Sequence, residues 1–282
     1  QFLGFKNYGD EYKVMGLSSY GKPNYSKELS RLMFSTKNGY ELNLKYFKHH
    51  NNKIIYSKEN GKIKYKNLYS DLLIKLLGDE RKPSEKITQN HMDLAKSAQT
   101  LYEDIFFNLL NLVYDKYKIK NLTLSGGCSL NSVANGKIKE NTGFENIYIS
   151  PNPGDAGGAV GSVCVYLSNK NKKILPINNY AYLGNSYSND EISKFILKKK
   201  ISSKYFIKKF LDKELYYIVS KLIINSNIVG WFQGRMEWGQ RALGNRSILA
   251  DARNPEIKNI INSKIKRRES FRPFAPSVLE KY

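Results

Sequence analysis

The stretch NLTLSGGCSLNSVANGKIKE, residues 121–140, decides the fold class of this 282-residue chain. An apolar run from Leu122 to Leu124 meets Gly126 and Gly127, and a helix-compatible stretch follows, which predicts a strand, a glycine turn and a helix. The next segment repeats this order, with NIYIS (146–150) as strand, PNPGDAGG (151–158) as loop and AVGSVCVYLS (159–168) as helix. Strands that alternate with helices predict an α/β fold, in which ligands bind beyond the strand ends.

Two Asn-Gly dipeptides upstream, Asn38-Gly39 and Asn60-Gly61, lie between β-prone stretches. They predict two β-hairpins, because Asn-Gly tolerates the positive φ angles of a tight type I′ turn. HMDLAKSAQTLYEDIFFNLLNLVYDK, residues 91–116, places apolar side chains at three- and four-residue spacing. That spacing predicts a long amphipathic helix.

The polar run SNKNKKILPINN, residues 168–179, predicts a linker between two domains, over residues 1–172 and 173–282. DEISKFILKKK (190–200) predicts a helix capped by Ser188 or Asn189, with an acidic first turn and a basic last turn. Residues 213–225 predict a second helix, and NIVGWFQ (227–233) predicts the strand after it.

The net charge of +21 would favour nucleic acid or an anionic membrane as partner. Most of this charge is lysine spread along the chain together with Asn, Ile and Tyr, so we expect neither a specific nucleic-acid surface nor a membrane partner. Cys128 and Cys164 lie far apart among small or apolar residues, which predicts no disulfide and a buried Cys128. With no long apolar run and no signal-peptide pattern, the sequence predicts a soluble, cytoplasmic protein and leaves open a homo-oligomer.

Arginine is clustered, since seven of the nine arginines fall between Arg235 and Arg272. A guanidinium offers a fork of donors that matches two oxygens of a phosphate or carboxylate, whereas lysine is a point charge. Interspersed glycines predict that Arg235, Arg241 and Arg246 project from a glycine-jointed loop. A second cationic wall is predicted on a following helix and comprises Lys264, Lys266, Arg267 and Arg268. Two such walls predict a polyphosphate site, and surface ion pairs with the four acidic residues of the same window are the alternative.

Two loops could also hold ligands. Gly126 and Gly127 would let backbone amides approach an anion, although glycine pairs also serve as plain turns. Asp155 precedes a helix and predicts either a metal ligand, or contact with magnesium-bound phosphate, or an ordinary N-cap. The histidines, His49, His50 and His91, are predicted to be solvated or capping residues and not metal ligands.

Six motifs resemble those of the O-carbamoyltransferases of nodulation-factor and antibiotic biosynthesis, across nearly the whole chain. They are GDEYKVMGLSSYGKP (9–23), SGGCSLNSVANGKI (125–138), PNPGDAGGAVG (151–161), YLGNSYSNDEI (182–192), GWFQGRMEWGQRALGNRSILADAR (230–253) and KIKRRESFRPFAP (264–276). The chain departs mildly from the family pattern at Gln240, Arg267 and Ser270. The resemblance also implies a chain truncated at both ends and poorly active alone.

The resemblance implies an actin-like ATPase-fold domain followed by a domain similar to threonylcarbamoyl-adenylate synthases. It implies that carbamoyl phosphate and ATP form a carbamoyl-adenylate, whose carbamoyl group passes to an acceptor hydroxyl. The implied cofactors are ATP, Mg²⁺ and a divalent metal, iron, with Asp155 as metal ligand. The implied nucleotide and phosphate binders are Gly126, Gly127, Asn131, Arg235, Asn245 and Arg272, and the implied catalytic residues are Arg241, Arg246, Lys266 and Arg268.

Two other functions stay open at this point. An RNA-binding or tRNA-modification component would bind with an affinity that falls steeply with salt and would not consume carbamoyl phosphate. A small-molecule kinase or ATPase of the actin-like fold would release ADP, whereas adenylate formation releases pyrophosphate. The sequence does not identify the acceptor, which could be a sugar, an aminoglycoside, a macrolide or another alcohol.

Overall fold

The computed structural model describes residues 1–51, 55–172 and 181–279. The chain forms two compact units. The first contains residues 1–124, 128–148 and 271–273, and the second contains residues 125–127, 149–270 and the stretch from residue 274. Both units mix helices with short strands, which confirms the α/β class. The predicted domain boundary at residue 172 adjoins residues outside those described and stays a prediction.

The first unit combines helices with three two-stranded sheets, β1 with β2, β3 with β4 and β5 with β6. Its strands are β1 (Met33–Thr36), β2 (Gly39–Leu42), β3 (Tyr56–Glu59), β4 (Lys62–Tyr65), β5 (Asn121–Leu124) and β6 (Asn146–Ile149). Its helices are α1 (Glu11–Leu17), α2 (Ser26–Leu29), α3 (Asp71–Leu77), α4 (Gln89–Tyr117), α5 (Ser132–Asn135) and α6 (Ile138–Asn141).

Both predicted hairpins are confirmed, and their turns differ. Asn60 and Gly61 form the second turn with φ angles of 50° and 76°, as a type I′ turn requires. In the first hairpin Gly39 pairs with Thr36, so the residues between the strands are Lys37 and Asn38. The Asn-Gly dipeptide therefore located the first hairpin but not its turn residues.

Helix α4 confirms the predicted long amphipathic helix and carries the core of the first unit. Near its start it packs with a cluster of buried apolar residues, and near its end with a second one. The first cluster is Leu3, Phe5, Leu17, Leu29, Leu94 and Ala95, and the second is Leu110, Ile138 and Phe144. The N–H of Thr88 donates to Nδ1 of His91 at 3.0 Å in a capping box, which confirms His91 as a capping residue.

The prediction of a single helix after β5 is wrong. A 3₁₀ turn (Gly127–Leu130) is followed by the separate four-residue helices α5 and α6. The side chain of Asn131 ends the first turn, because its Oδ1 accepts the N–H of Ala134 and starts α5. Cys128 is exposed on the 3₁₀ turn, so the prediction that it is buried is also wrong. Neither cysteine forms a disulfide, as predicted.

The second unit contains α7 (Gly158–Asn169), α8 (Asn189–Lys198), α9 (Asp212–Ile224) and α10 (Ile257–Ile260), with β7 (Val229–Phe232) antiparallel to β8 (Arg246–Leu249). These elements confirm the predicted helices after the glycine loop and after the linker, and the predicted strand. Ser188 caps α8 in a capping box with Glu191, also as predicted. Of the predicted linker, residues 168 and 169 end α7, and residues 173–179 lie outside the described residues.

The helix predicted to carry the second cationic wall is shorter than expected. After α10 a π-helical turn (Ile261–Lys266) ends at Arg267, which has a φ of 47°. A left-handed residue cannot continue a right-handed helix, so Arg268 lies beyond its end. Across the described part of the chain, none of the helices combines the length and apolarity needed to cross a membrane.

Candidate active site

Three loops that the sequence singled out meet in the second unit. The N–H of Gly126 donates to the carbonyl oxygen of Pro153 at 2.7 Å, which joins the glycine turn to the loop of residues 151–157. A Cβ on Gly239 would lie 3.1 Å from the carbonyl oxygen of Pro151, so the arginine-rich loop reaches the same place. Residues whose contacts span 27 positions (Gly126 to Pro153) and 88 positions (Pro151 to Gly239) along the chain therefore form one surface.

Glycine has two different uses at this junction. Gly239 has a φ of 96° and lies against backbone, so a side chain there would be strained and crowded. Gly126 and Gly127 have no atom within 4 Å of where a Cβ would lie. The glycine turn is thus open on the side where other residues carry a side chain, which leaves room for a ligand against the backbone.

Asp155 is exposed on a short 3₁₀ turn (Asp155–Gly157) beside this junction. The N-cap of α7 is Gly157, and no side chain caps that helix, so the N-cap alternative for Asp155 is wrong. Within residues 1–51, 55–172 and 181–279, no three His, Cys, Asp or Glu side chains come together to hold a metal ion. Asp155 is therefore a single carboxylate, and the described residues do not fit a metal site.

The arginine-rich loop, residues 233–245, connects β7 to β8 and is organised by a carboxylate. Oε1 of Glu237 accepts the N–H groups of Leu243 and Asn245 at 2.7 Å each, and that of Arg246 at 3.3 Å. Burial acts to raise the pKa of Glu237, but these backbone donors outweigh it and lower the pKa below its usual value. Glu237 therefore stays ionised and fixes the end of the loop.

Arg246 is the first residue of β8, and its side chain turns back onto this loop, whereas the prediction placed Arg246 on the loop itself. Its guanidinium lies 3.4 Å from the ring centroid of Phe232, and its buried Nε has no partner among the described residues. The two Nη atoms donate to backbone carbonyls at 2.7 to 3.4 Å, those of Gln233, Gly234, Asn245 and Asn185. In this arrangement Arg246 holds the loop together.

Arg235 also binds backbone. Its Nε and Nη2 donate to the carbonyls of Gly184 and Leu183 at 3.0 Å each, and its own carbonyl accepts Nδ2 of Asn245 at 2.6 Å. The structure thus brings together Arg235, Asn245 and Arg246 in a scaffold that also fixes residues 183–185. The ion-pair alternative holds for Arg253, whose Nη2 lies 2.7 Å from Oδ2 of Asp251.

Two predicted cations are differently placed. Arg241 and Lys266 are exposed, and their side chains form no hydrogen bond or ion pair with the described residues. Arg268, in contrast, donates from Nε to Oδ1 of the buried Asn262 at 2.7 Å. Arg272 belongs to the first unit, where its guanidinium lies 4.6 Å from the ring of Tyr12. Arg241 and Lys266 are therefore the predicted catalytic cations available to an anion.

The first unit contains a cavity of about 1010 Å³, and Asn131 lines it. Asn131 and Gln99 join their side-chain amides in two hydrogen bonds, of 3.0 and 3.1 Å. Gln99 also donates to Glu103 at 2.8 Å, and Lys137 donates to the same carboxylate at 2.6 Å. Asn131 is thus one end of a polar chain whose other end is the ion pair of Glu103, on α4, with Lys137.

The cavity carries further groups that sequence reasoning missed. Burial raises the pKa of Tyr102 to about 12, so its hydroxyl stays protonated and donates to the carbonyl of Cys128 at 3.4 Å. Asp10, which is 8% exposed, forms an ion pair of 2.9 Å with Lys13. Asp10 and Lys13 lie within the family motif of residues 9–23. Tyr102 lies within the predicted helix of residues 91–116, and helix periodicity does not reveal its contact with Cys128.

Comparison with known proteins identifies the family. The family profile described as "Carbamoyltransferase N-terminus" matches residues 1–164, and that described as "Carbamoyltransferase C-terminus" matches residues 220–282. The first alone covers more than half of the chain. The two matches occur in the order that their descriptions require.

Curated relatives align with almost all of the chain. An uncharacterized protein of Synechocystis sp. is 39% identical over 99% of the chain, which covers 44% of that protein. Nodulation protein NolNO of Sinorhizobium fredii is 33% identical over 99% of the chain, and nodulation protein NolO of Bradyrhizobium diazoefficiens is 33% identical over 96%. The chain covers 38% and 45% of these two proteins, so it spans less than half the length of each relative. The chain belongs to the carbamoyltransferase family.

Proposed function

We propose that the protein containing this chain is an ATP-dependent O-carbamoyltransferase. It forms a carbamoyl-adenylate from carbamoyl phosphate and ATP and passes the carbamoyl group to an acceptor hydroxyl in the biosynthesis of a sugar or secondary metabolite. The observation that carries this proposal is the ordered match to both ends of the carbamoyltransferase family. In the proposed architecture, an actin-like ATPase-fold domain precedes a domain similar to threonylcarbamoyl-adenylate synthases.

The proposed chemistry needs positive charge at two places. Forming the adenylate takes up one water and releases inorganic phosphate and pyrophosphate. In the transfer step the acceptor oxygen bonds to the carbamoyl carbon, the bond to AMP breaks and the hydroxyl proton leaves. Charge develops on the carbonyl oxygen and on the leaving phosphate, where fixed cations stabilise it. Arg241 and Lys266 support this role because their exposed side chains form no hydrogen bond or ion pair with the described residues.

The implied cofactors differ in how well the described residues fit them. The open backbone at Gly126 and Gly127 fits a phosphate chain such as that of ATP, and ATP would supply the adenylyl group. The single carboxylate of Asp155 does not make a metal site, so we derive no step through Mg²⁺ or iron. The metal stays a prediction from the resemblance.

The test uses the complete reading frame that contains this chain, with ATP, Mg²⁺ and carbamoyl phosphate but no acceptor. We expect pyrophosphate release that depends on carbamoyl phosphate and falls at least about 100-fold in Arg241→Ala. Arg253→Ala is the matched control, because Arg253 lies in the same window but is paired with Asp251. Equal loss in both variants would show that the cluster acts only through its net charge and would contradict the role of Arg241.

A further inference from the structure

An exposed segment of the second unit combines positive charge with apolar side chains. Residues 194–211, KFILKKKISSKYFIKKFL, hold seven of the chain's 37 lysines and lack acidic residues. We call this stretch the basic-apolar segment. It covers the end of α8, a 3₁₀ turn (Ile201–Ser203) and the irregular stretch before α9.

The seven lysines are all exposed, and none forms an ion pair with a described residue. The nearest acidic residues along the chain, Glu191 and Asp212, lie outside the segment. Lysine makes up more than a third of these 18 residues, about three times its share in the whole chain. The positive charge here is thus locally concentrated and not neutralised, unlike the diffuse lysine elsewhere.

Large apolar side chains are exposed between these lysines. Phe206 is 91% exposed, Leu211 80% and Leu197 74%. Large apolar side chains that a protein leaves exposed within one short segment often mark a contact surface. The family profiles match residues 1–164 and 220–282, so the segment lies outside both. The family match therefore gives it no part in the proposed reaction.

We propose that the basic-apolar segment binds the surface of an anionic lipid bilayer. Lysines attract acidic headgroups, while neighbouring aromatic and aliphatic side chains enter the boundary between headgroups and acyl chains. This proposal departs from the expectation of no membrane partner, which rested on the overall distribution of lysine. It does not rest on the proposed carbamoyl transfer.

The chemistry of the segment favours lipid over nucleic acid. Bases stack on aromatic rings, but Leu197 and Leu211 offer no such face. The segment also lacks arginine, whose planar fork suits individual phosphates, and it uses lysine, which suits a diffuse anionic surface. Acyl chains, in contrast, accept aliphatic and aromatic side chains alike.

The test is co-sedimentation of the complete reading frame with phosphatidylcholine vesicles, with and without phosphatidylserine, at physiological salt. We expect binding only to the anionic vesicles. Replacing Lys198, Lys199, Lys208 and Lys209 by Glu should weaken it at least about 100-fold, since each lysine near the surface contributes about five-fold. The double variant Phe206→Ser with Leu211→Ser should weaken it at least about ten-fold with the charge unchanged.

The matched control makes the same charge change in the first unit, at the exposed lysines Lys27, Lys37, Lys86 and Lys139. We expect it to retain binding within about three-fold, because these lysines lie outside the basic-apolar segment that is proposed to contact the bilayer. All the changed side chains are exposed, and circular dichroism checks that each variant folds. Absence of vesicle binding, equal losses in both lysine sets, or tighter binding to a single-stranded RNA homopolymer would overturn the proposal.

Discussion

Arg241 and Arg246 lie five positions apart in one loop and have opposite uses. Both Nη atoms of Arg246 donate to backbone carbonyls, whereas the side chain of Arg241 forms no hydrogen bond or ion pair with a described residue. The sequence could predict that arginine is clustered, because composition is visible in it. It could not separate the two uses, because the acceptors of Arg246 are main-chain oxygens that every residue carries.

This difference predicts separable losses of stability and activity. Arg246→Ala should lower the free energy of unfolding by about 1 to 3 kcal/mol, because four backbone carbonyls lose a charged donor and Phe232 loses its contact with the guanidinium. Arg241→Ala should change it by less than about 0.5 kcal/mol, as is usual for an exposed side chain. Urea unfolding of both variants measures this. A stable Arg246→Ala protein would contradict the scaffold role.

Gly239 provides a test of the loop junction at the same scale. Gly239→Ala should cost about 1 to 3 kcal/mol and reduce pyrophosphate release, because a Cβ would meet Pro151 and Asn152 at a φ of 96°. Gly230→Ala is the control, since its φ is not positive and nothing lies within 4 Å of its Cβ position. If urea unfolding gave both variants the wild-type midpoint, the loops would not be in contact as described.

Among the elements, α4 shows what periodicity does and does not reveal. Its apolar spacing predicted the helix, but buried polar residues occur on it as well, namely Asp93, Ser97, Gln99 and Glu103. Their partners come from remote segments: the N–H of Lys22 donates to Asp93, and Asn131 pairs with Gln99. Such residues look like solvent-facing positions in a sequence, because their remote partners lie 32 to 72 positions away.

Asp93 makes the attachment of α4 dependent on pH. The N–H of Lys22, the amide of Gln89 and the amide of Asn24 lower the pKa of Asp93 below its usual value of 3.8. The ionised carboxylate therefore stabilises the fold at pH values above the unfolded-state pKa, and this contribution is lost as the pH falls through the lower, folded-state pKa.

Asp93→Asn should accordingly lower the Tm at pH 7, and its difference from the wild type should shrink as the pH falls below about 4. Thermal unfolding by circular dichroism between pH 7 and pH 3 measures both curves. Asp79→Asn is the control, because Asp79 is exposed. A constant Tm difference across this range would show that the charge of Asp93 is not what holds Lys22 and Asn24 against α4.

For the whole molecule, local patterns predicted the four longest helices, α4, α7, α8 and α9, both hairpins and the α/β class. They could not show that residues 125–127, 151–157 and 233–245 meet in one unit, because that contact depends on how distant segments pack. Nor could they show that Asn131 and Arg272 belong to the first unit while most of the predicted cations lie in the second. The resemblance implies the proposed function. The structure distinguishes the exposed Arg241 from Arg235 and Arg246, whose side chains bind backbone carbonyls.

The proposed formation of an adenylate is tested by the identity of the nucleotide product. The complete reading frame is incubated with ATP, carbamoyl phosphate and an alcohol acceptor, and the nucleotides are resolved by mass spectrometry. We predict carbamoyl-adenylate as an intermediate and AMP as the final nucleotide, both absent without carbamoyl phosphate. ADP in place of AMP, formed whether or not carbamoyl phosphate is present, would contradict the account and indicate a kinase or ATPase.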